Sequence, residues 1–236
     1  MARQLATTRE SDLDAISQNA RERFVNNFRG PTVTRNVQIG AAPIQGHFKR
    51  YYYHTLNNSH IALYVGRAHL EHTKVNRVEE GMLAKIAEVA KLFASRMAQA
   101  DAIIKAQGIE EDVENLHPSS QTTAIVVGPV AMRYLTLITD ADKLYSKYVL
   151  LWTMGEITGE ECNRRHIEIK RSLKSVVRTI EQLRVGVLNA INESKSRDVE
   201  GLQVPAAADL ATLPTDDDDD QDAGVAADST KELAIA

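Results

Sequence analysis

The chain of 236 residues contains a single cysteine, Cys162. One cysteine excludes an internal disulfide framework and any zinc site built from several thiolates, and it agrees with a reducing compartment. Long apolar runs are also missing, because no stretch approaches the ~20 residues that a membrane-spanning helix needs. The first residues, Met1 to Arg9, lack the hydrophobic core of a secretory signal. We therefore predict a cytoplasmic protein with no membrane partner, in which Cys162 is a buried, passive thiol.

Motifs for catalysis and for cofactor binding are scarce as well. The glycines form neither a Walker-type phosphate loop nor a Gly-x-Gly-x-x-Gly turn, and no nucleophile, base and orienting group stand at a recognisable spacing. His69 and His72 come nearest to a metal site, but they are three residues apart on a predicted strand end or loop, not four apart on one helix face. The sequence therefore predicts no enzyme, no catalytic residue, no metal and no cofactor.

Acidic residues are concentrated at the end of the chain. Residues 199–236 hold ten acidic side chains and one base, so the formal charge of -4 leaves residues 1–198 at about +5. This tail has few large apolar groups and cannot bury enough surface to offset its ordering entropy, so we predict that it is disordered. It is either a solubilising tail or an acidic mimic of phosphate that competes for a basic groove. The mildly basic body is compatible with an anionic partner such as nucleic acid.

Hydrophobic periodicity predicts a mainly α protein with a few short β-strands. Predicted helices cover about 11–28, 78–107, 140–155 and 160–192, and predicted strands cover 32–39, 61–65, 124–127 and 131–138. We divide the chain into an N-terminal helix and extended segment (1–59), a helical core (60–198) and the disordered acidic tail (199–236). The apolar stripe of the last helix predicts core packing, with a dimer contact as the alternative.

A strand followed by two helices in residues 131–193 is the order of a ribbon-helix-helix module, to which the long helix at 78–107 is an addition. In such a module two chains pair their strands into a ribbon that enters the major groove. The candidate base-reading residues on the strand are Arg133, Tyr134 and Thr136, although its register stays open. The alternative is a strand buried in a mixed domain. Thr158, a predicted N-cap, is a candidate phosphate contact at the start of the last helix.

Basic residues outside this strand add to the prediction of nucleic-acid binding. Lys170 and Lys174 fall on one face of the last helix, Lys49 and Arg50 precede three tyrosines, and Arg35 lies on the strand at 32–39. These side chains are candidates for contacts to DNA phosphates, and the tyrosines for stacking on sugars or bases. The alternative for each basic group is an ordinary solvated face.

The run Leu137-Ile-Thr-Asp-Ala-Asp-Lys-Leu144, with its predicted strand before it and a long helix after it, resembles the signature of the integrating-conjugative-element protein family. That family includes AcaB-like transcriptional activators of large conjugative plasmids. The similar order of elements extends from about residue 61 to residue 187. The resemblance implies a homodimeric ribbon-helix-helix regulator that binds upstream of transfer-activator genes. It also implies that Asp140 and Asp142 open the first helix of the module, and that Arg133, Tyr134 and Thr136 read bases.

These observations predict a dimeric, sequence-specific DNA-binding transcriptional regulator that activates conjugative-transfer genes of a mobile element. Its expected partners are double-stranded DNA and a second copy of the chain, and RNA polymerase is a further candidate. The alternative is a non-enzymatic DNA-processing or scaffold accessory protein of a conjugative element. A hydrolase or nuclease is a weaker alternative, because carboxylates at metal-binding spacing are absent outside the acidic tail.

Removal of the tail tests the predicted division of the chain. A variant that lacks residues 199–236 is expected to unfold at the same Tm as the full chain, because a disordered segment adds no packed surface. Differential scanning calorimetry of both proteins measures this. A clear drop in Tm on deletion would mean that the tail is docked on the body.

Overall fold

The computed structural model describes residue 15, residues 17–26, residue 28, residues 30–108 and residues 120–198. The described residues up to Ser196 belong to one compact unit. Residues 17–26 are helical. The elements that follow are β1 (Val33–Ile39), α1 (Ala42–His60), a π-helical stretch (Ile61–Val65), α2 (Gly66–His69), α3 (His72–Ala106), β2 (Ser120–Val126), α4 (Gly128–Thr153) and α5 (Gly159–Asp198). The mainly α architecture with short strands is confirmed, while the acidic tail lies outside the described residues and stays a prediction.

Helix α4 supplies much of the core. Its buried positions recur every one to four residues, which places them on one broad face of a helix. This face consists of Val130, Ala131, Tyr134, Leu135, Leu137, Ile138, Ala141, Leu144, Tyr148 and Leu151. Helix α5 contributes the stripe predicted from the sequence, with Ile169, Leu173, Val176, Ile180 and Val187 buried and Leu183 packed against the core. The stripe is therefore core packing, as predicted.

Helices α3 and α5 run antiparallel to each other. Arg96 of α3 forms an ion pair of 2.7 Å with Glu168 of α5. Fifteen residues earlier on α3, Gly81 lies against Leu183, which is fifteen residues later on α5. Contacts of this order, which advance along one helix and retreat along the other, define an antiparallel pair. The predicted long helix at 78–107 is confirmed, and it begins earlier, at His72.

The two strands pair with each other as a two-stranded antiparallel ribbon. The register joins Val33 to Val126 and Ile39 to Ser120. Val37 and Ile39 of β1 are buried on the face toward the helices, so the alternation predicted for residues 32–39 is confirmed. The extended structure predicted at 124–127 is also confirmed in β2, which begins earlier, at Ser120.

The strand predicted at residues 131–138 is wrong, because these residues are the first turns of α4. Gly128, with a φ of 75°, and Pro129 stand between the strands predicted at 124–127 and 131–138. Proline is instead well suited to the first turn of a helix, where its missing N–H needs no partner. Tyr134, Leu135 and Ile138 are all buried, which fits a helix and not the alternation of a strand. The ribbon-helix-helix module therefore does not start at residue 131.

Two other segments are helical where the sequence predicted otherwise. The strand predicted at 61–65 is the π-helical stretch that joins α1 to α2. Residues 40–59, which have no clear pattern in the sequence, contain most of α1, with Pro43 in its first turn. Tyr52 and Tyr53 are both buried, and adjacent residues of a strand would point to opposite faces.

Asp142 connects α4 to the junction between β1 and α1. Its two carboxylate oxygens accept hydrogen bonds from the backbone N–H groups of Gly40, at 3.0 Å, and Ala41, at 2.8 Å. No side chain from α1 itself caps that helix, so a carboxylate 101 residues away supplies the cap and its negative charge. Asp142 lies in the middle of α4, so the implied role of Asp140 and Asp142 in opening a helix is wrong.

Removal of the Asp142 carboxylate is expected to destabilise the protein strongly. Asp142→Ala loses two hydrogen bonds to a charged group and should lower the free energy of unfolding by about 3 kcal/mol. Asp140→Ala is the matched control on the same helix. Burial raises the pKa of Asp140, so the charged carboxylate gains little from its site and its loss should change stability by under about 0.5 kcal/mol. Urea unfolding measures the free energy of unfolding of both variants. Equal losses would contradict the role of the Asp142 carboxylate as the cap of α1.

Candidate nucleic-acid interface

The outer face of the ribbon, turned away from the helices, carries uncharged hydrogen-bonding side chains. Since residues opposite each other in an antiparallel pair share a face, the register places the outward residues of both strands together. We call this set the outer ribbon face, and it consists of Thr34, Asn36, Gln38, Gln121 and Thr123. All five side chains are exposed. Ile125, opposite Thr34, is the one apolar member of this side, and it is buried, so the exposed polar face extends from Asn36 and Thr123 to Gln38 and Gln121.

Helix α1 holds the ribbon from behind. The hydroxyl of Tyr52 donates a hydrogen bond of 2.8 Å to the carbonyl of Ile125, and that of Tyr53 donates one of 3.2 Å to the carbonyl of Thr123. Gln45 Nε2 donates to the carbonyls of Ile39 and Gly40 at the end of β1. Two of the three tyrosines that were candidates for stacking on nucleic acid are therefore buried supports of the ribbon.

A basic surface adjoins this support. Burial lowers the pKa of His47, and the nearby charges of Lys174 of α5 and Arg50 of α1 lower it further. The structure thus brings together two of the basic residues predicted from the sequence, Arg50 and Lys174, which are 124 positions apart in the chain. Lys170 is exposed one turn before Lys174, and Lys49 is half-buried beside Arg50. We call this set the basic helix surface: Lys49, Arg50, Lys170 and Lys174.

Arg35 occupies a different position from the outer ribbon face. It pairs with Ala124 on the side of the ribbon that carries Val37 and Ile39, yet its side chain is exposed. The guanidinium therefore lies beyond the part of that side covered by the helices. Such a place suits a contact to a backbone phosphate better than a contact to a base.

Tyr134 cannot read bases in this structure, because it is 1% exposed within the core. Its hydroxyl lies 2.8 Å from His47 Nε2, and its ring stacks parallel to that of Tyr52 at 6.2 Å. Arg133 and Thr136 are exposed on α4, and Thr136 Oγ1 donates to the carbonyl of Met132 within the helix. Contacts of Arg133 and Thr136 to DNA stay a prediction, although no strand presents these residues.

Thr158 is the N-cap of α5, as predicted. Its Oγ1 accepts a hydrogen bond of 3.1 Å from the backbone N–H of Glu161. Glu160 and Glu161 occupy the first turn, so their carboxylates already complement the positive end of the helix. The predicted phosphate contact at Thr158 is untested, and the two negative charges beside it oppose a phosphate.

The remaining candidate ligands are dispersed. His69 ends α2 and His72 begins α3, and both are exposed. Among the residues that the structure describes, no three His, Cys, Asp or Glu side chains gather in a geometry for a metal ion. Cys162 is buried as predicted, with Sγ 3.6 Å from His166 Nε2. Burial raises the pKa of the Cys162 thiol, which disfavours the reactive thiolate.

Sequence reasoning missed the outer ribbon face. The alternation over residues 32–39 correctly places Thr34, Asn36 and Gln38 on one side, but the predicted base readers were assigned to a segment that is helical. The pairing of β1 with β2 brings together residues about 87 positions apart, such as Asn36 and Thr123. No local pattern in the sequence encodes that register.

One solved structure matches the chain over most of its length. It is the crystal structure of selenomethionine-containing AcaB from uropathogenic E. coli, with a TM-score of 0.64 and 17% sequence identity, over 71% of this chain and 87% of that chain. This chain shares the fold of AcaB. The identity is low enough that the likeness to AcaB concerns the fold alone. No protein-family model matches the chain, and no curated protein matches it. In the described part of this AcaB-like fold, no helix is long and apolar enough to cross a membrane.

The buried His47 makes the folded state sensitive to acid. Burial, with smaller contributions from the charges of Lys174 and Arg50, lowers the pKa of His47 from 6.5 to about 3. The unfolded chain binds a proton at His47 below about pH 6.5, whereas the folded chain stays neutral there. The stability that is present above pH 6.5 is therefore lost as the pH falls toward 3.

The variant His47→Gln removes this titration and keeps a side-chain amide beside Tyr134. Between pH 7.5 and pH 5, the wild type should lose about 2 kcal/mol more of its free energy of unfolding than the variant does. Urea unfolding at the two pH values measures both losses. Equal losses would mean that His47 binds its proton as readily in the folded protein as in the unfolded chain.

Proposed function

We propose that the protein is a sequence-specific DNA-binding transcriptional regulator and that the ribbon of β1 and β2 enters the major groove. The observation that carries this proposal is the outer ribbon face, which gathers exposed amide and hydroxyl side chains on a two-stranded ribbon. The major groove, about 12 Å wide, admits such a ribbon, and amides and hydroxyls match the donors and acceptors of base edges. The protein acts without catalysis and without a cofactor.

The order of secondary-structure elements supports this function, but in an earlier segment of the chain than the one predicted from the sequence. Strand β1 is followed by helix α1 and, after the π-helical stretch and the short α2, by the long helix α3, over residues 33–106. A strand and two main helices in this order are similar to a ribbon-helix-helix module, which the sequence predicted at residues 131–193, but here β1 forms its ribbon with β2 of the same chain. The inner residues Val37 and Ile39 pack on the helices while their neighbours face outward, as a groove-binding ribbon requires.

The cationic side chains and the neutral polar side chains lie on two different surfaces, and each surface suits a different kind of contact with DNA. The basic helix surface supplies the attraction to phosphates, which does not depend on sequence. The outer ribbon face supplies neutral groups for base contacts, which carry the sequence information. Arg35 adds a cation at the side of the ribbon. The fold of AcaB and the resemblance of residues 137–144 to the conjugative-element family support a role in activating conjugative-transfer genes, with RNA polymerase as a further partner.

We further propose that the protein acts as a dimer. Within the described residues the sheet has only two strands, so β1 pairs with β2 along one edge and has no strand along the other. An open strand edge presents unpaired backbone groups that another strand can use. A second copy of β1 is the expected occupant, because two antiparallel copies would bring both outer ribbon faces into one surface.

Binding measurements separate a regulator from an accessory DNA-binding protein. The regulator should bind its selected duplex at least ~1000-fold more tightly than random duplex at the same salt concentration. The double variant Lys170→Ala/Lys174→Ala should weaken binding to both duplexes and make the salt dependence shallower by about two counterions. Lys105→Ala, at the far end of α3, is the control and should change neither quantity. Fluorescence anisotropy against salt measures them, and equal affinity for both duplexes would favour the accessory protein.

A further inference from the structure

We propose that the outer ribbon face selects adenine, so that the preferred DNA site contains A·T pairs about two base steps apart under each ribbon. This inference rests on the proposed function and goes beyond it by naming the base. The residues that carry it are Asn36 and Gln38 on β1, with Gln121 and Thr123 opposite them on β2.

The chemistry of these side chains favours adenine over guanine. A carboxamide offers one acceptor and one donor side by side, which match the N6 amino group and the N7 atom of adenine. Guanine presents two acceptors, O6 and N7, and is read by arginine or lysine. Within the two strands, the outer ribbon face carries three carboxamides and no cation, since Arg35 is on the opposite side. A reader of guanine is therefore missing from this face.

The neighbouring strand orients one of the carboxamides in advance. Thr123 Oγ1 donates a hydrogen bond of 3.4 Å to Asn36 Oδ1, and the carbonyl of Thr123 is itself held by the hydroxyl of Tyr53. In this arrangement Asn36 Oδ1 accepts from the Thr123 hydroxyl. This hydrogen bond leaves the Nδ2 donor and a second lone pair on Oδ1 of Asn36 available for a base. A side chain held in its binding orientation loses less conformational entropy on binding.

The spacing along β1 fits the spacing of bases. Asn36 and Gln38 are two residues apart on one face, a distance of about 7 Å along a strand. Two base steps of B-DNA rise by about the same distance, at about 3.4 Å each. The two amides therefore reach bases that are two steps apart. Gln121 lies opposite Gln38 on β2 and is the third carboxamide of the outer ribbon face.

Selection from a random duplex pool tests the inference. The full chain is used at fixed salt, bound duplexes are sequenced, and the wild type should yield a motif with A·T pairs two steps apart. Asn36→Ala and Gln38→Ala should each lose about 5- to 100-fold in affinity for that duplex and accept other bases at one position. Gln38→Arg should change the preferred base at its position from adenine to guanine.

Two controls make the result specific to adenine N7 and to this face. Replacing the adenine at the position that depends on Gln38 with 7-deazaadenine removes its N7 acceptor. This replacement should weaken binding by the wild type and leave binding by Gln38→Ala unchanged. Arg35→Ala, the neighbour on the opposite side, should weaken binding to all duplexes alike and keep the motif. A motif of G·C pairs, or an unchanged motif in the Asn36 and Gln38 variants, would overturn the inference while DNA binding stands. Binding without any motif would overturn the proposed function as well.

Discussion

The carboxylate of Asp142 fixes the place where β1 ends and α1 begins, and the rest of the structure depends on that junction. It accepts hydrogen bonds from the N–H groups of Gly40 and Ala41, so α4 in the core holds a turn near the surface. Helix α1 then positions β2 through the hydroxyls of Tyr52 and Tyr53. An isolated two-stranded ribbon is marginally stable in water, so these few contacts give the ribbon a defined orientation. The two tyrosines that support the exposed outer ribbon face are themselves buried.

The long helices could be predicted from the sequence because their signals are local. The apolar stripe of α5 and the cap at Thr158 both follow from residues within a few turns of one another, and both are present. The first turns of α4 are predicted as a strand because residues 131–138 are apolar on more than one side. A segment buried on a broad face loses the polar gaps that distinguish a helix from a strand. Its neighbours Gly128 and Pro129 are compatible with either a break or a helix start.

The candidate site could be predicted only in part, since it is made by pairing across the chain. The alternation in β1 is a local pattern, and it correctly separates Asn36 and Gln38 from Val37 and Ile39. The partner strand begins 81 residues after β1 ends, and its register is set by tyrosines on a helix whose sequence carries turn-forming residues. Similarly, Arg50 and Lys174 become neighbours only when α1 packs near α5. Composition indicated a basic body, but it could not indicate which basic residues share a surface.

In the proposed DNA-binding function, the separation of neutral and cationic groups would determine how the protein finds its site. Attraction by the basic helix surface acts on any DNA and is weakened by salt, so it governs encounter and residence on random sequence. Neutral amides gain little binding free energy from phosphates. They exchange their hydrogen bonds with water for hydrogen bonds to DNA only when a base edge offers matching partners. Cations on the outer ribbon face would stabilise binding to any DNA and reduce the difference between right and wrong sites. The absence of charge on that face therefore favours discrimination over affinity, and the helices restore the affinity without affecting the choice of base.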